Sequence, residues 1–197
     1  MALVVITGGA RSGKSAAAAR LASVHAGPVF VAVAGRTDND PEMTRRIERH
    51  RADRPAEWTT LEVAGEHVPT WLAAVPDGAC LVIDCLGTLV AERIFGGEGP
   101  DPGQWVPEAL EQRADEVATA IVEAALSRAG DTVVVTNEVG SGVVPASASG
   151  RLFRDVIGRA NTRLVAAADA AYLVVCSRCI DLGSLPASVE WPTGGRA

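Results

Sequence analysis

The sequence predicts an α/β fold, one domain built on a doubly wound and mainly parallel sheet. Three observations carry that expectation. Five short runs rich in β-branched residues, LVVIT (3–7), VFVAVA (29–34), CLVIDCL (80–86), TVVVTNEV (132–139) and AYLVVC (171–176), are almost continuously apolar, as parallel strands covered on both faces must be. Segments with helical spacing lie between them, at 14–25, 41–52, 66–75, 104–129 and 150–168, so strand and helix alternate along the chain. Finally, 197 residues, 48% hydrophobic and only 4% aromatic, suit a single core made chiefly of Ala, Val, Leu and Ile.

The first strand runs directly into GGARSGKS, in which Gly8, Gly9, Ala10, Arg11, Ser12, Gly13, Lys14 and Ser15 match G-x-x-x-x-G-K-S. Glycines in this pattern let backbone N–H groups close around phosphates, Lys14 reaches the β- and γ-phosphates, and Ser15 holds Mg²⁺. The helix that begins there adds its N-terminal dipole to the same anion site. A chance glycine turn is the plain alternative, but it would not require a strand before it and a helix after it. Lys14 is the only lysine in the chain, so chemistry that needs a lysine must use this one. Asp84, which closes CLVID, is the candidate second group for the metal, against the alternative of an acid capping the next helix. No N-K-x-D guanine motif is present, because TNEV (136–139) has valine where the acid would stand.

A second feature is RRIERHRADRP (45–55), five arginines around His50 in a chain of formal net charge -6. Asp40 and Pro41 read as N-cap and first helical residue, and Pro55 ends the segment. Met43 and Ile47 fall on one stripe, while Arg46, His50 and Arg54 share a neighbouring one, flanked by Arg49 and Arg51. Alone, such a run is a solvated helix face. Yet its arginines meet only Glu48 and Asp53, and beside a phosphate loop they read as a second, bidentate clamp on a polyphosphate. Surrounding cations disfavour imidazolium, which leaves His50 neutral and able to attack phosphorus. Of the other histidines, His25 closes the first helix and His67 has no charge cluster around it.

Charge and composition exclude several classes. The acidic balance argues against nucleic-acid binding and against a membrane-surface role, both of which need basic surface spread over a face. No apolar run reaches membrane-spanning length and no charged signal region precedes the first strand, so a cytoplasmic protein is expected. Cys80 and Cys85 bracket a strand and stand about 16 Å apart, too far to share an ion. Cys176 and Cys179 form a C-x-x-C pair that admits a metal or redox reading, with buried free thiols as the ordinary one. The domain is expected over 1–180, with GGEGPDPGQWVP (96–107) as a surface loop and 181–197 as an aperiodic tail expected to be disordered.

With these residues in place, the chain resembles the bifunctional adenosylcobinamide kinase/adenosylcobinamide-phosphate guanylyltransferase family of cobalamin biosynthesis. The resemblance rests on ITGGARSGKS, PEMTRRIERHRADRPAEWTTLE, LVIDCLGTLV and TNEVGSGVVP followed by GRLFRDVIGRANTRLVAAADAAYLVV, covering residues 3–176 in order and spacing. It implies a RecA-like P-loop fold, a homotrimer, and a two-step enzyme using ATP or GTP with Mg²⁺. The first step phosphorylates the aminopropanol hydroxyl of adenosylcobinamide. The second transfers GMP from GTP to adenosylcobinamide phosphate through a guanylyl-histidine, giving adenosylcobinamide-GDP and pyrophosphate. The family's guanylylated histidine falls on His50. Its nucleotide-binding positions fall on the phosphate loop, on Val33, Ala34 and Gly35, on Arg51, Ala52, Asp53 and Arg54, and on Glu62 and Asp84.

The chain departs from the family pattern at Val33, where threonine is usual. It departs again where Leu89 or Val90 and Glu92 replace a tryptophan and an asparagine, in VPASASGR, and in the C-terminal CSRCIDLGSLP. Glu138 is a candidate general base or corrinoid contact, with a structural acid capping Gly140 and Gly142 as its alternative. Two rival functions are a P-loop small-molecule kinase without a covalent nucleotide and a nucleotide-dependent binding module.

Overall fold

Seven strands form one sheet, in the order β3-β2-β4-β5-β1-β6-β7. They are β1 (Leu3–Thr7), β2 (Val29–Val33), β3 (Thr59–Glu62), β4 (Cys80–Asp84), β5 (Thr132–Val135), β6 (Ala170–Val175) and β7 (Arg178–Asp181). The computed structural model describes residues 1–34, 45, 54–63, 65, 67–95 and 108–189. Every pairing is parallel except the antiparallel β6–β7 hairpin at one edge. Among the described residues the helices are α1 (Lys14–Ala22), α2 (Val68–Leu72), α3 (Leu86–Phe95), α4 (Glu108–Ser127) and α5 (Ala148–Ala167), and a 3-10 turn covers Leu182–Ser184.

The apolar strands are continuous because both faces are covered. On one face Val5, Leu81, Ile83 and Val134 pack beneath α3, α4 and α5 together with Trp71 of α2. On the other, Ile6, Val31, Val82, Val133 and Val135 meet Ala17, Ala18 and Ala22 of α1. Alanine suits that second role, since it favours the helix and lets it lie close to the sheet. Ser147 caps α5 by accepting from the Gly150 N–H at 3.1 Å, the expected N-cap contact. Arg159 of α5 then grips Asp115 of α4 with contacts of 2.6 and 2.8 Å. That pair stands half in solvent and contributes little stability.

The five expected strands are present, with the fourth ending at Val135 and not at residue 139. Three elements were not expected. Helix α3 follows Asp84 almost at once, inside a run so uniformly apolar that periodicity cannot divide strand from helix. Strand β3 is short, polar and at an edge. Strand β7 is exposed at all four residues, and with the following 3-10 turn it carries ordered structure through residues assigned to the aperiodic tail. The physical reason is backbone pairing with β6, which needs no hydrophobic pattern. The helix expected over 41–52, Arg45 aside, and the loop expected over 96–107 lie outside the described residues, as does 190–197.

Candidate functional site

The phosphate-loop motif leaves the C-terminal end of β1 and enters α1. Gly13 is the N-cap of α1 at φ 101° and ψ 10°, and Arg11 also has positive φ, 56°. Left-handed residues alternating in a short loop turn successive N–H groups to one side, the nest that binds anions. The loop's carbonyls are held elsewhere. Gly8 O accepts from the Glu138 N–H at 3.0 Å, Gly9 O from the Ser12 N–H at 3.3 Å, and Ser12 O from the Ser177 N–H at 2.8 Å. A side chain at Gly8 would strike the Val174 carbonyl, so glycine is required there by close approach as well as by conformation.

Lys14 is buried, and its ammonium donates to Gly9 O at 2.8 Å, folded over its own loop. The Ser12 hydroxyl is buried without a hydrogen-bond partner, and it lies 2.9 Å from where a Cβ on Gly8 would stand. An orphaned hydroxyl within a ring of N–H groups and a lysine is a donor set suited to phosphate oxygens.

Two strands away, Asp84 ends β4. The Ser15 hydroxyl donates to Asp84 Oδ1 at 3.0 Å, and the Arg54 guanidinium pairs with Asp84 Oδ2 at 3.6 Å with both side chains largely buried. Arg54 also donates to Thr60 Oγ1 at 3.5 Å. Ser15, Arg54 and Asp84 line a cavity of about 420 Å³, together with Arg20 of α1, Trp58, Val31 and Val82. The placement follows from topology. Parallel strands bring all their C-terminal ends to one side, and β5 between β1 and β4 sets loop and acid two strands apart.

The site residues expected from sequence divide accordingly. Gly8 to Ser15, Arg54 and Asp84 converge. Val33 and Glu62 are register partners at the ends of β2 and β3 on the same side of the sheet, with Ala34 following Val33 and Glu62 exposed. Gly35, His50, Arg51, Ala52 and Asp53 lie outside the described residues. Glu138 accepts from the N–H groups of Gly140 at 2.7 Å and Ser141 at 3.0 Å, the capping alternative, with Ser141 in place of Gly142. His25 is tied to Asp131 at 3.3 Å, at the opposite end of the sheet.

The cysteines differ from the ordinary reading of four buried thiols. All four are free, Cys80 is buried, Cys85 half-buried, and Cys176 and Cys179 exposed. Burial above all pushes the Cys80 thiol up to about 11, and burial likewise raises that of Cys85. No group of three or more His, Cys, Asp or Glu side chains arranged for a metal occurs among the described residues.

Sequence reasoning did not single out Trp58, Arg20 or Ser177. Trp58 had a readable signal, an aromatic four residues after the arginine cluster. Nor did it find the buried link in which the Thr136 hydroxyl donates to Asn161 Oδ1 at 2.7 Å and Asn161 Nδ2 donates to Asn137 O at 2.9 Å. That link ties α5 to the chain leaving β5.

Comparison with known proteins identifies the family. The family described as cobinamide kinase / cobinamide phosphate guanyltransferase matches residues 4–182. The bifunctional adenosylcobalamin biosynthesis protein CobU of Salmonella typhimurium is 41% identical over 177 residues, 88% of this chain and 95% of that protein. CobU of Escherichia coli is 37% identical over 175 residues, 88% of this chain and 95% of that protein. The corresponding CobP of Pseudomonas aeruginosa is 38% identical over 154 residues, 78% of this chain and 82% of that protein. Among solved structures, a KaiC-like protein of Pyrococcus horikoshii is similar at a TM-score of 0.43 and 16% identity, over 87% of this chain and 70% of that one. No described helix is long and apolar enough to cross a membrane. From phosphate loop to final strand, this chain belongs to the cobinamide kinase / cobinamide phosphate guanyltransferase family.

Proposed function

We propose that one triphosphate site serves both reactions of the family, with His50 as the group that carries GMP from GTP to adenosylcobinamide phosphate in the second. In the first reaction the loop from Gly8 to Ser15 holds ATP or GTP, the hydroxyl oxygen of adenosylcobinamide bonds to the γ-phosphorus as the bond to the β-phosphate oxygen breaks, and ADP or GDP and the hydroxyl proton are released. In the second, a neutral nitrogen of His50 attacks the α-phosphorus of GTP. An N–P bond forms, the bond to the β-phosphate oxygen breaks, and pyrophosphate leaves. A phosphate oxygen of adenosylcobinamide phosphate then attacks the same phosphorus, the N–P bond breaks, and His50 is regenerated as adenosylcobinamide-GDP departs.

The observation that carries this reading is the meeting of Arg54 with Asp84 and Ser15 beside the phosphate loop. Arg54 is four residues beyond His50 in the sequence, and it is the member of the arginine cluster that the described residues bring to the phosphate end of the sheet. Arg51, Asp53 and Arg54 then serve as the nucleotide clamp, with Ala52, Val33, Ala34, Gly35 and Glu62 as further nucleotide contacts. Ser15 and Asp84 are the groups that would hold Mg²⁺. Two hard oxygen donors, with water and phosphate completing the shell, fit that ion. When bound, the ion neutralises charge on the phosphate oxygens. The homotrimer is part of the same proposal, supported by the family resemblance, and the cytoplasmic setting expected from the sequence is proposed with it.

Incubation with Mg²⁺ and GTP labelled at either the α- or the γ-phosphate, followed by denaturation, tests the covalent step. Label retained from α-GTP only, labile to acid, stable to base and missing from His50→Ala, is the expected result. Active, GTP-binding protein that retains no α-label would exclude guanylyl-His50 and leave a simple kinase.

A further inference from the structure

We propose that the turn between β6 and β7 is a positioning element for the phosphate loop, acting through the backbone of Ser177 on the peptide between Ser12 and Gly13. This rests on the reading of residues 8–15 as a nucleotide cradle.

Val175 and Arg178 pair across the hairpin, so only Cys176 and Ser177 form the turn. Both have positive φ, 48° and 61°, the geometry of a type I′ turn, for which Asn-Gly is the favoured pair. Two side-chain-bearing residues held in the left-handed region carry a cost, and here the tip makes contacts that give the conformation a purpose. The Ser177 N–H donates to Ser12 O at 2.8 Å. A Cβ at Gly13 would stand 2.7 Å from Ser177 Oγ and 3.2 Å from its Cα. The same hairpin reaches the other end of the loop, where the Val174 carbonyl sits against Gly8.

Peptide planarity passes this contact on to a donor of the cradle. The C=O of Ser12 and the N–H of Gly13 belong to one planar trans unit and point in opposite directions. Holding the carbonyl toward the hairpin therefore turns the Gly13 N–H away from it, to the side where the loop's N–H groups gather. Ser177 itself touches no substrate. It sets the direction of one donor that does. The C-x-x-C spacing then has a geometric explanation, with Cys176 in the turn and Cys179 paired opposite Val174 on β7.

The test compares Ser177→Val, whose β-branched side chain resists φ near 60°, with the double variant C176N/S177G, which keeps the turn and its N–H. Binding of a fluorescent, non-hydrolysable GTP analogue and of GMP is measured for each, with melting temperature in the absence of nucleotide. Ser177→Val is expected to weaken the triphosphate about tenfold and GMP much less, while C176N/S177G binds both as the parent does. A merely structural role would lower the melting temperature and leave the ratio of the two affinities unchanged, which would overturn the proposal. In the unaltered protein, hydrogen exchange of residues 174–179 should slow when the analogue binds. An unchanged rate there would overturn the proposal even if Ser177→Val fails to fold. Parent protein that does not bind the analogue would instead overturn the cradle reading itself, whereas parent binding with an unaltered Ser177→Val affinity ratio would overturn the positioning role alone.

Discussion

The two ends of the parallel strands treat their polar groups in opposite ways. At the N-terminal end, Arg128 is buried yet its guanidinium donates to the carbonyls of Asp131, Pro76 and Ala79 at 2.7 to 2.8 Å. Asp131 accepts from the Ala2 N–H at 2.7 Å and Asp169 from the Leu3 N–H at 2.7 Å. His25 Nδ1 accepts from the Gly27 N–H at 3.0 Å, which leaves its Nε2 proton facing Asp131. At the C-terminal end, the hydroxyls of Thr7 and Ser12 are buried without partners, the two such side-chain atoms among the described residues. Lys14 lies against its own loop, and Asp84 is shared between Ser15 and Arg54. One end meets its hydrogen-bonding demand from its own backbone. The other keeps donors in reserve for a ligand.

By that division, damage at the C-terminal end of the strands should remove activity and spare stability. Lys14→Met keeps the length of the side chain and removes the charge, so both reactions should fall by at least about a hundredfold, with the melting temperature within about 3 °C of the parent. Steady-state assays of each step beside a thermal melt would decide it. A variant that unfolds as it loses activity would show that the lysine also serves the fold, and the contrast would fail at its strongest point.

The two ends also differed in how legible they were. The phosphate loop is a contiguous stretch whose chemistry is local, so spacing alone placed it between β1 and α1, and the end of the CLVID strand placed Asp84, whose carboxylate accepts from Ser15. Arg128 gave no such signal. A charged residue after a helix reads as solvent-facing, and the carbonyls it satisfies at Pro76 and Ala79 come from 52 and 49 residues earlier in the chain. The hairpin that braces the loop was hidden differently, because its turn uses Cys-Ser where the recognisable pair is Asn-Gly. Helix α3 was concealed by an excess of apolar residues, and β3 by a shortage of them. What could be read was what a short window contains. What could not be read was set by partners distant in sequence.

Arg128 offers the reverse test. Arg128→Met would leave the Ala79 carbonyl buried without a donor and take the side-chain partner from the Pro76 carbonyl, which keeps only the Ala79 N–H at 3.0 Å, a loss of about 3 kcal/mol together with the packing of the arginine stem. In a domain of this size that lowers the melting temperature by roughly 6–12 °C. The KM for nucleotide, measured well below the new melting temperature, should stay at the parental value. A raised KM would mean that strain at the N-terminal end travels along the strands to the site.

The smallest expected effect comes from Asp131, and its sign can be worked out. The Ala2 N–H, more than any other group, holds its carboxyl below the usual 3.8, with burial opposing the effect and the N-terminal ammonium and then His25 adding to it. A carboxylate whose folded pKa is depressed contributes stability above the unfolded value and loses it as pH falls through the folded one. Asp131→Asn should therefore melt slightly below the parent at neutral pH. The gap should begin to close as pH drops past about 4, and should vanish once Asp131 is protonated in the folded parent. The side chain is 40% exposed, so salt should narrow the gap at neutral pH as well. Thermal melts across that range at two ionic strengths would show the convergence. A gap independent of pH would assign the loss to geometry around Ala2 and not to charge, and a change in nucleotide affinity would place Asp131 on the wrong side of the division between the two ends.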